Sequence, residues 1–292
     1  RKYVLLTLPF MVGLTMTFSR EFFFRFFGSY LPPGGIAGIN YGLRIMLIPV
    51  ALFGQAVGTA AFPFMARLVS ENKLEEMNRL LNDTLRYLSL VIPFSVLLMV
   101  IRHEVVLILY QRGQFDAAAT SLTADILIYL LLGTFALAAY TIVPRAYYAV
   151  QDTFFPAVYG TGAVLLSIPA YLFGLRFFGA KGVALAVSLS SIFQVWVLYS
   201  LWNRRSHNTG SRGVYGFYVK IIFFSILVGV FLAWFKAEFL SSIDATRFSG
   251  ALVTTVFIGM LFAAILLLAG YGLKIKEITG LVNRLLGKIR RS

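Results

Sequence analysis

The stretch Gly35–Arg67, GIAGINYGLRIMLIPVALFGQAVGTAAFPFMAR, carries a single full charge, Arg44, within its apolar interior. Its roughly 30 residues rise about 45 Å as an α-helix, which exceeds the ~30 Å hydrocarbon core of a bilayer. The stretch therefore predicts a transmembrane helix that crosses with a tilt or a bend. Pro49 provides a physical reason for a bend, because proline lacks the amide N–H that an α-helix needs.

Arg44 lies too deep in this stretch to reach the interface easily. A guanidinium at that depth costs between ~3 and ~10 kcal/mol, depending on the scale. The residue is therefore expected to face a bundle interior or a wet cavity, with one of two partners. It pairs with Glu21 of the preceding span, or it holds an anionic ligand, for which the planar guanidinium suits phosphate. Asn40 and Gln55 are expected on the same wet face.

The composition places the chain among polytopic membrane proteins: 59% of its 292 residues are hydrophobic, and the mean hydropathy is +0.81. There is no cysteine, which excludes disulfides, thiolate metal sites and cysteine nucleophiles. The net charge of +14 follows the loops rather than one face, which indicates membrane topology and not nucleic-acid binding. No metal-binding or catalytic motif is present, so nothing in the residues points to an enzyme.

Apolar runs of about 18 or more residues predict an all-α protein with eight spans. The predicted spans are Tyr3–Phe27, Ile36–Ala66, Thr84–Ile101, Leu122–Ala149, Phe155–Phe178, Val183–Trp202, Phe217–Phe239 and Ala251–Leu273.

The positive charges orient these spans. With the start of the chain in the cytoplasm, 17 of the 26 Lys and Arg residues lie inside, six lie outside, and Arg20, Arg25 and Arg44 lie within spans. Both ends of the chain are therefore expected to be cytoplasmic. The opening Arg1-Lys2 runs directly into a span, unlike a cleavable signal peptide, and we expect the chain to be part of a longer protein.

Three segments between spans have recognisable patterns. Ser70–Leu85 predicts an amphipathic cytoplasmic helix, which begins near Asn72 and lies on the membrane or under the bundle. Val105–Phe115 has too few apolar residues to span and is expected to form a periplasmic cap that turns at Gly113. Asn203–Gly213 is expected to be a flexible cytoplasmic linker. It divides a six-helix unit (1–202) from a terminal pair with a basic tail (214–292).

The first span carries three charges near its outer end. Glu21 and Arg25 stand one helical turn apart in a favourable order, which is typical of a self-neutralising pair at the interface. Arg20 lies deeper, and a structural role and a cavity-facing role are equally compatible with its position.

Three stretches together resemble the MurJ/MviN family of lipid II flippases. GLRIMLIPVALFGQAVGTAAFPFMARL (42–68) resembles the family's eighth helix, LYQRGQFDAAATSLTADIL (109–127) its Arg-Gly-x-Phe turn, and RAYYAVQDTFFP (145–156) its Arg-Ala-Phe-Tyr-Ala-x-Gln-Asp-Thr-x-x-Pro motif. Tyr147 stands where the motif has Phe. The motif residues expected to have structural roles are Pro49, Arg112, Gly113, Arg145, Gln151, Asp152 and Pro156.

The resemblance implies a fold and a function. The fold is the C-terminal six-helix lobe of the multidrug/oligosaccharidyl-lipid/polysaccharide (MOP) exporter superfamily plus two further helices, numbers seven to fourteen of fourteen. The N-terminal lobe would be the partner across a cationic cavity. The substrate would be lipid II, undecaprenyl-pyrophosphoryl-MurNAc-pentapeptide-GlcNAc, moved from the inner to the outer leaflet of the bacterial inner membrane for peptidoglycan synthesis.

The family also suggests how the site works. An arginine matching Arg44 is among its essential cavity cations, which favours the ligand interpretation over the Glu21 pair. Arg20, Glu21, Arg25, Asn40 and Gln55 complete the expected cavity site. No cofactor is expected. Some members couple to sodium or membrane potential, but no sodium site can be mapped onto this sequence.

Two alternatives remain open at this stage. One is another MOP-superfamily transporter, a polysaccharide-lipid flippase or a drug antiporter, although the Gln151-Asp152-Thr153 and Arg112-Gly113-x-Phe115 motifs argue against it. The other is a non-transporting scaffold that docks a cell-wall synthase through the amphipathic helix Ser70–Leu85.

Overall fold

A computed structural model of the chain describes residues 23–272, which are helical with short connections. The predicted all-α fold is confirmed. Residues 23–28 form a helical turn, and a π-helical segment, Val50–Gln55, lies between α1 and α2. The elements are α1 Gly35–Pro49, α2 Ala56–Ser70, α3 Leu74–Leu88, α4 Val91–Val100, α5 Arg102–Tyr110, α6 Ala117–Leu131, α7 Thr134–Tyr140, α8 Val143–Ala149, α9 Phe154–Leu166, α10 Ile168–Arg205, α11 Ser211–Phe239 and α12 Phe248–Gly272.

Within the described residues, five helical segments are long and apolar enough to cross a membrane. The pair Ala117–Leu131 and Thr134–Ala149 becomes a sixth if it is taken as one span bent by 53°. The 52-residue segment Phe154–Arg205 is itself divided at Gly179, whose φ of 55° and ψ of −131° are not helical. The seven predicted spans from Ile36 onward thus have counterparts, and Tyr3–Phe27 lies mostly outside the described residues.

Gly179 reverses the chain. The backbones of Gly174 and Gly182 touch, so that a Cβ on either would overlap the carbonyl of the other. In a straight α-helix, residues eight apart are separated by about 12 Å. The segments 168–178 and 180–205 of α10 therefore form a hairpin, with two glycines at the contact where no side chain fits.

Two features keep the bundle together where its helices break. Gly133, between α6 and α7, lies against Ser188 of α10, and a Cβ there would be 2.7 Å from the Ser188 Cα. The Ser188 hydroxyl donates to the carbonyls of Tyr129 (2.6 Å) and Leu130 (3.0 Å). A carbonyl released by a helix break is costly in lipid unless it finds a donor, and Ser188 provides one.

A helix occupies most of the segment predicted to be amphipathic, but its start was predicted wrongly. α3 begins at Leu74 and continues to Leu88, because α2 extends to Ser70 and Asn72 turns the chain with a left-handed φ of 58°. The N-cap is Lys73, without a side-chain cap. Glu71 in this exposed turn pairs with both neighbouring cations, and hydrogen bonds from Lys73 and then Arg67 lower the pKa of Glu71 to about 2.

The apolar face of α3 is buried within the bundle. Met77 and Leu81 are fully buried and Leu85 is 2% exposed, and all three belong to the main hydrophobic cluster. The helix thus lies under the bundle and does not present this face to a partner. The docking surface required by the scaffold alternative is therefore occupied.

The linker was predicted to be flexible, and this is wrong. The helices run further than expected, so that only residues 206–210 connect α10 to α11. Asn208 is 6% exposed, and its side-chain amide donates to Asn82 (2.9 Å) and Asn203 (2.8 Å), while Asn82 donates back to Asn208 (2.8 Å). Nearby, Asn78 accepts from the Trp202 indole (2.9 Å) and donates to the Ser206 carbonyl (3.1 Å).

The terminal pair is docked on the six-helix unit. α11 packs along α4 and α12 contacts α5. A separate apolar cluster joins them, with Ile101 on one side and Val228, Leu232, Ile258 and Phe262 on the other. At the end of α11, Lys236 pairs with Glu104 of α5 at 2.7 Å.

Candidate functional site

Arg44 is exposed on the open side of α1. The opposite side of this helix carries Gly38 and Gly42, which lie one turn apart and pack against α6. A Cβ on Gly38 would lie 2.9 Å from Ile126, and a Cβ on Gly42 would lie 2.8 Å from Leu130. Close approach through small residues is typical of helix contacts in membranes. Docking α1 by its glycine side turns Arg44 away from the lobe.

Arg44 belongs to a continuous exposed stripe along α1, the π-helical segment and α2. The stripe consists of Ala37, Arg44, Ile48, Ala51, Gln55 and Thr59. Within residues 23–272, no carboxylate lies within 4 Å of the Arg44 guanidinium. The charge is therefore not balanced by the part of the lobe that the structure describes.

The structure brings only some of the predicted cavity residues to this stripe. Asn40 is half-buried one turn before Arg44, and Gln55 is exposed, about 16 Å further along the axis. Arg25 is exposed, with its Cζ 5.9 Å from the Phe24 ring. Arg20 and Glu21 lie outside the described residues, so the predicted Glu21 pairs with Arg25 and Arg44 stay predictions.

Pro49 ends α1 and introduces the π-helical segment Val50–Gln55. Wider π turns often occur at functional positions in helices. Thr141 of the α7–α8 connection donates to the Gly54 carbonyl at 3.0 Å, which provides a partner for the irregular backbone. The bend predicted at Pro49 thus appears as a change from α-helix to π-helix.

An aromatic group lies beside Arg44, and sequence reasoning missed it. The Arg44 Cζ lies 6.0 Å from the centroid of the Tyr41 ring. Tyr41 in turn contacts Tyr110 of α5 (centroids 4.7 Å) and Phe115 (5.0 Å, edge to face). Tyr41 stands three residues before Arg44 and could have been noticed from the sequence, whereas the other two rings come from more than 60 residues away.

The Arg-Gly-x-Phe motif forms the turn that delivers Phe115. Gly113 has a φ of 60°, which favours glycine, and the Phe115 amide donates to the Arg112 carbonyl at 3.2 Å. The next residue, Asp116, caps α6 by accepting from the Ala119 amide at 2.8 Å. Arg112 itself is exposed.

Arg145 reaches the same stripe at Thr59, in α2. Its guanidinium donates to the Thr59 hydroxyl at 3.3 Å, and Gly58 leaves room for it, since a Cβ there would be 3.3 Å from the arginine. Thr59 is 15 residues beyond Arg44, or about 22 Å along the helix. The open side thus has a cation near each end.

The remaining motif residues connect helices. The Asp152 carboxylate accepts from the Phe155 amide at 2.9 Å and pairs with Arg205 at the end of α10. Gln151 turns the chain with a φ of 60°, and Pro156 is buried in the first turn of α9. The described residues contain no group of three or more His, Asp or Glu side chains that could hold a metal ion.

Comparisons with known proteins agree on one family. Residues 1–254 match the family model described as lipid II flippase MurJ. The chain is 27% identical over 280 residues to a probable lipid II flippase MurJ of Vibrio cholerae, covering 92% of this chain and 52% of that protein. It is 32% identical over 167 residues to the lipid II flippase MurJ of Thermosipho africanus, covering 56% and 34%.

Solved structures show the same fold. A lipid II flippase MurJ in an inward closed conformation superposes with a TM-score of 0.58 at 22% identity, covering 90% of this chain and 51% of that one. An outward-facing multidrug-resistance MATE transporter of the MOP superfamily gives a TM-score of 0.54 at 17% identity, covering 94% and 66%.

The chain spans about half the length of the first of these relatives. This partial coverage is consistent with the interpretation of the chain as the C-terminal lobe and two further helices. The resemblance inferred from three short motifs thus extends over most of the chain. The chain is a multi-pass membrane protein and belongs to the MurJ family of lipid II flippases.

Proposed function

We propose that this chain is the part of a lipid II flippase that binds the substrate pyrophosphate through Arg44. The carrying observation is an exposed arginine on a membrane-spanning helix with no carboxylate in reach among residues 23–272. Such a charge is maintained in a membrane where it meets an anion. A pyrophosphate presents several oxygens to the forked donors of a guanidinium.

The open stripe supports alternating access against a second lobe. Exposed Arg44, Gln55 and Thr59 occupy one side of a helix whose other side is docked. Polar side chains are costly where a helix faces lipid. We therefore expect this side of the helix to face a water-filled cavity. The substrate would move from the cytoplasmic to the periplasmic leaflet. We expect no cofactor, with sodium or the membrane potential as the driving force.

The terminal pair supports a site for the polyprenyl tail. A groove of about 690 Å³ is bordered by α4, α11 and the segment 240–245, with Val96 and Gly229 in its wall and Arg102 and Lys236 among its lining residues. Its lining is mainly apolar. A long hydrocarbon chain is apolar, so it suits a groove with a mainly apolar lining.

The test is a set of Arg44 variants in the full-length gene product. Arg44→Ala is expected to abolish rescue of cells depleted of their flippase, with normal membrane insertion. Arg44→Lys keeps the charge but loses the planar fork, and we expect binding of undecaprenyl pyrophosphate to weaken about 10- to 100-fold. Arg176 is the matched control, because it is also exposed and lies 5.9 Å from the Phe177 ring. Arg176→Lys should change neither measurement.

The double variant Arg44→Ala/Glu21→Ala separates the two interpretations of Arg44. If the arginine only neutralises Glu21, removing both charges leaves no unpaired charge, and activity returns. A pyrophosphate site stays inactive in the double variant. Rescue at matched expression would therefore refute the proposed role of Arg44.

A further inference from the structure

A cavity of about 350 Å³ opens at the outer end of the exposed stripe. It lies between the start of α1, the 112–115 turn and the first two turns of α6. Its lining combines two aromatic rings, Tyr41 and Phe115, with small residues and the polar side chains of Gln114 and Thr123. The size matches small-ligand pockets, which begin at about 300 Å³.

The two rings lie side by side at the edge of the cavity, and both are only half-buried. Tyr41 and Phe115 meet edge to face at 84°, and Tyr110 supports both at 4.7 and 5.9 Å. The positive φ of Gly113 fixes the turn that carries Phe115. Rings that only completed a core would be covered, whereas these border an open cavity.

The cavity lies close to Arg44, because Tyr41 is part of its lining and the Tyr41 ring centroid is 6.0 Å from the Arg44 Cζ. Tyr41 precedes Arg44 by three residues, so that both project from one side of α1, about 5 Å apart along the axis. A ligand whose phosphate meets the guanidinium can place its adjacent group against the Tyr41 and Phe115 rings. In lipid II that adjacent group is a sugar ring.

We propose that Tyr41 and Phe115 form a subsite for the pyranose ring bonded to the substrate pyrophosphate. The C–H face of the sugar packs on the electron-rich ring faces, and the exposed Gln114 amide bonds its hydroxyl or acetamido groups. This inference rests on the proposed function of Arg44. It adds that the lobe distinguishes a glycosylated carrier lipid from the bare carrier.

The experiment compares two probes on the purified full-length protein in detergent. One is undecaprenyl pyrophosphate, and the other is undecaprenyl-pyrophosphoryl-MurNAc, prepared without its peptide. We expect the wild type to bind the second about 10-fold more tightly. Tyr41→Leu and Phe115→Leu should reduce this preference to about 1 while leaving the affinity for undecaprenyl pyrophosphate unchanged, which also shows that they fold.

Two kinds of control accompany these variants. Tyr41→Phe and Phe115→Tyr retain the rings and should retain the preference. Phe173→Leu removes a ring outside the cavity, whose centroid lies 4.4 Å from that of Phe177, and it should retain the preference as well.

The possible results point in different directions. Equal binding of both probes by the wild type, or equal weakening of both by Tyr41→Leu and Phe115→Leu, overturns the sugar subsite. A preference that appears only when the pentapeptide is attached assigns the cavity to the peptide and also overturns it. A wild type that binds neither probe refutes the proposed function itself.

Discussion

The ion pair between Glu104 and Lys236 provides a quantitative test of how the terminal helices are held. Its two atoms lie 2.7 Å apart, and the side chains differ in exposure, 3% for Glu104 and 25% for Lys236. Lys236 also donates to the Val100 carbonyl at 3.0 Å, so it bridges α4 and α5. The second Glu104 oxygen, Oε2, is buried without a hydrogen-bond partner.

This asymmetry decides which substitution costs more. Lys236→Met leaves a nearly fully buried carboxylate without its cation, and breaking a buried pair in this way costs about 3–5 kcal/mol. Since water reaches the Lys236 side of the pair, we expect a loss of stability at the low end of this range, about 3 kcal/mol. Glu104→Gln leaves Lys236 hydrogen-bonded to water and to the Val100 carbonyl, so we expect a loss of stability of about 1 kcal/mol. The double variant removes both charges and should recover most of the loss.

The assay is thermal unfolding of the full-length protein in detergent at one scan rate. A loss of 3 kcal/mol corresponds to a decrease in Tm of about 2–5 °C, because the entropy of unfolding grows with the length of the chain. The matched control is Lys181→Met, because Lys181 pairs with Asp125 at 2.8 Å but both side chains are well exposed, and such pairs contribute ~1 kcal/mol or less. If Lys236→Met destabilises no more than Lys181→Met, or the double variant is worse than either single one, the argument from burial fails.

Two further predictions concern the hairpin and the topology. Gly182→Ala should prevent the hairpin at Gly179 from closing, and the monodisperse peak in size-exclusion chromatography should be lost. The control is Gly162→Ala, which should keep this peak because nothing lies within 4 Å of its added Cβ. For orientation, an impermeant thiol reagent should label Ser29→Cys in intact cells but Arg204→Cys only after permeabilisation. The chain has no cysteine of its own, and the reverse pattern would invert the proposed topology.

Sequence reasoning worked where one local property decides the outcome. Span lengths follow from apolar runs, whereas the cavity role of Arg44 stays a prediction that rests on the cost of a charge in lipid. It failed where distant residues decide. The linker looked flexible because it is polar, yet Asn208 is fixed by Asn82, 126 residues away. The aromatic group at Arg44 was missed for the same reason, since Phe115 reaches Tyr41 only through the turn at Gly113.

The two sides of α1 explain why a membrane helix can maintain an arginine here. Gly38 and Gly42 let the helix approach α6 until side chains touch its backbone, which fixes its rotation. With the rotation fixed, Arg44 has no route to a carboxylate on the described part of its own lobe. Its charge is balanced by a group outside the described residues, the predicted partner Glu21 included, or by an anion that binds there. A site that is neutralised only when a phosphate arrives gains binding energy from that arrival, and this would favour binding of the pyrophosphate that we propose as its ligand.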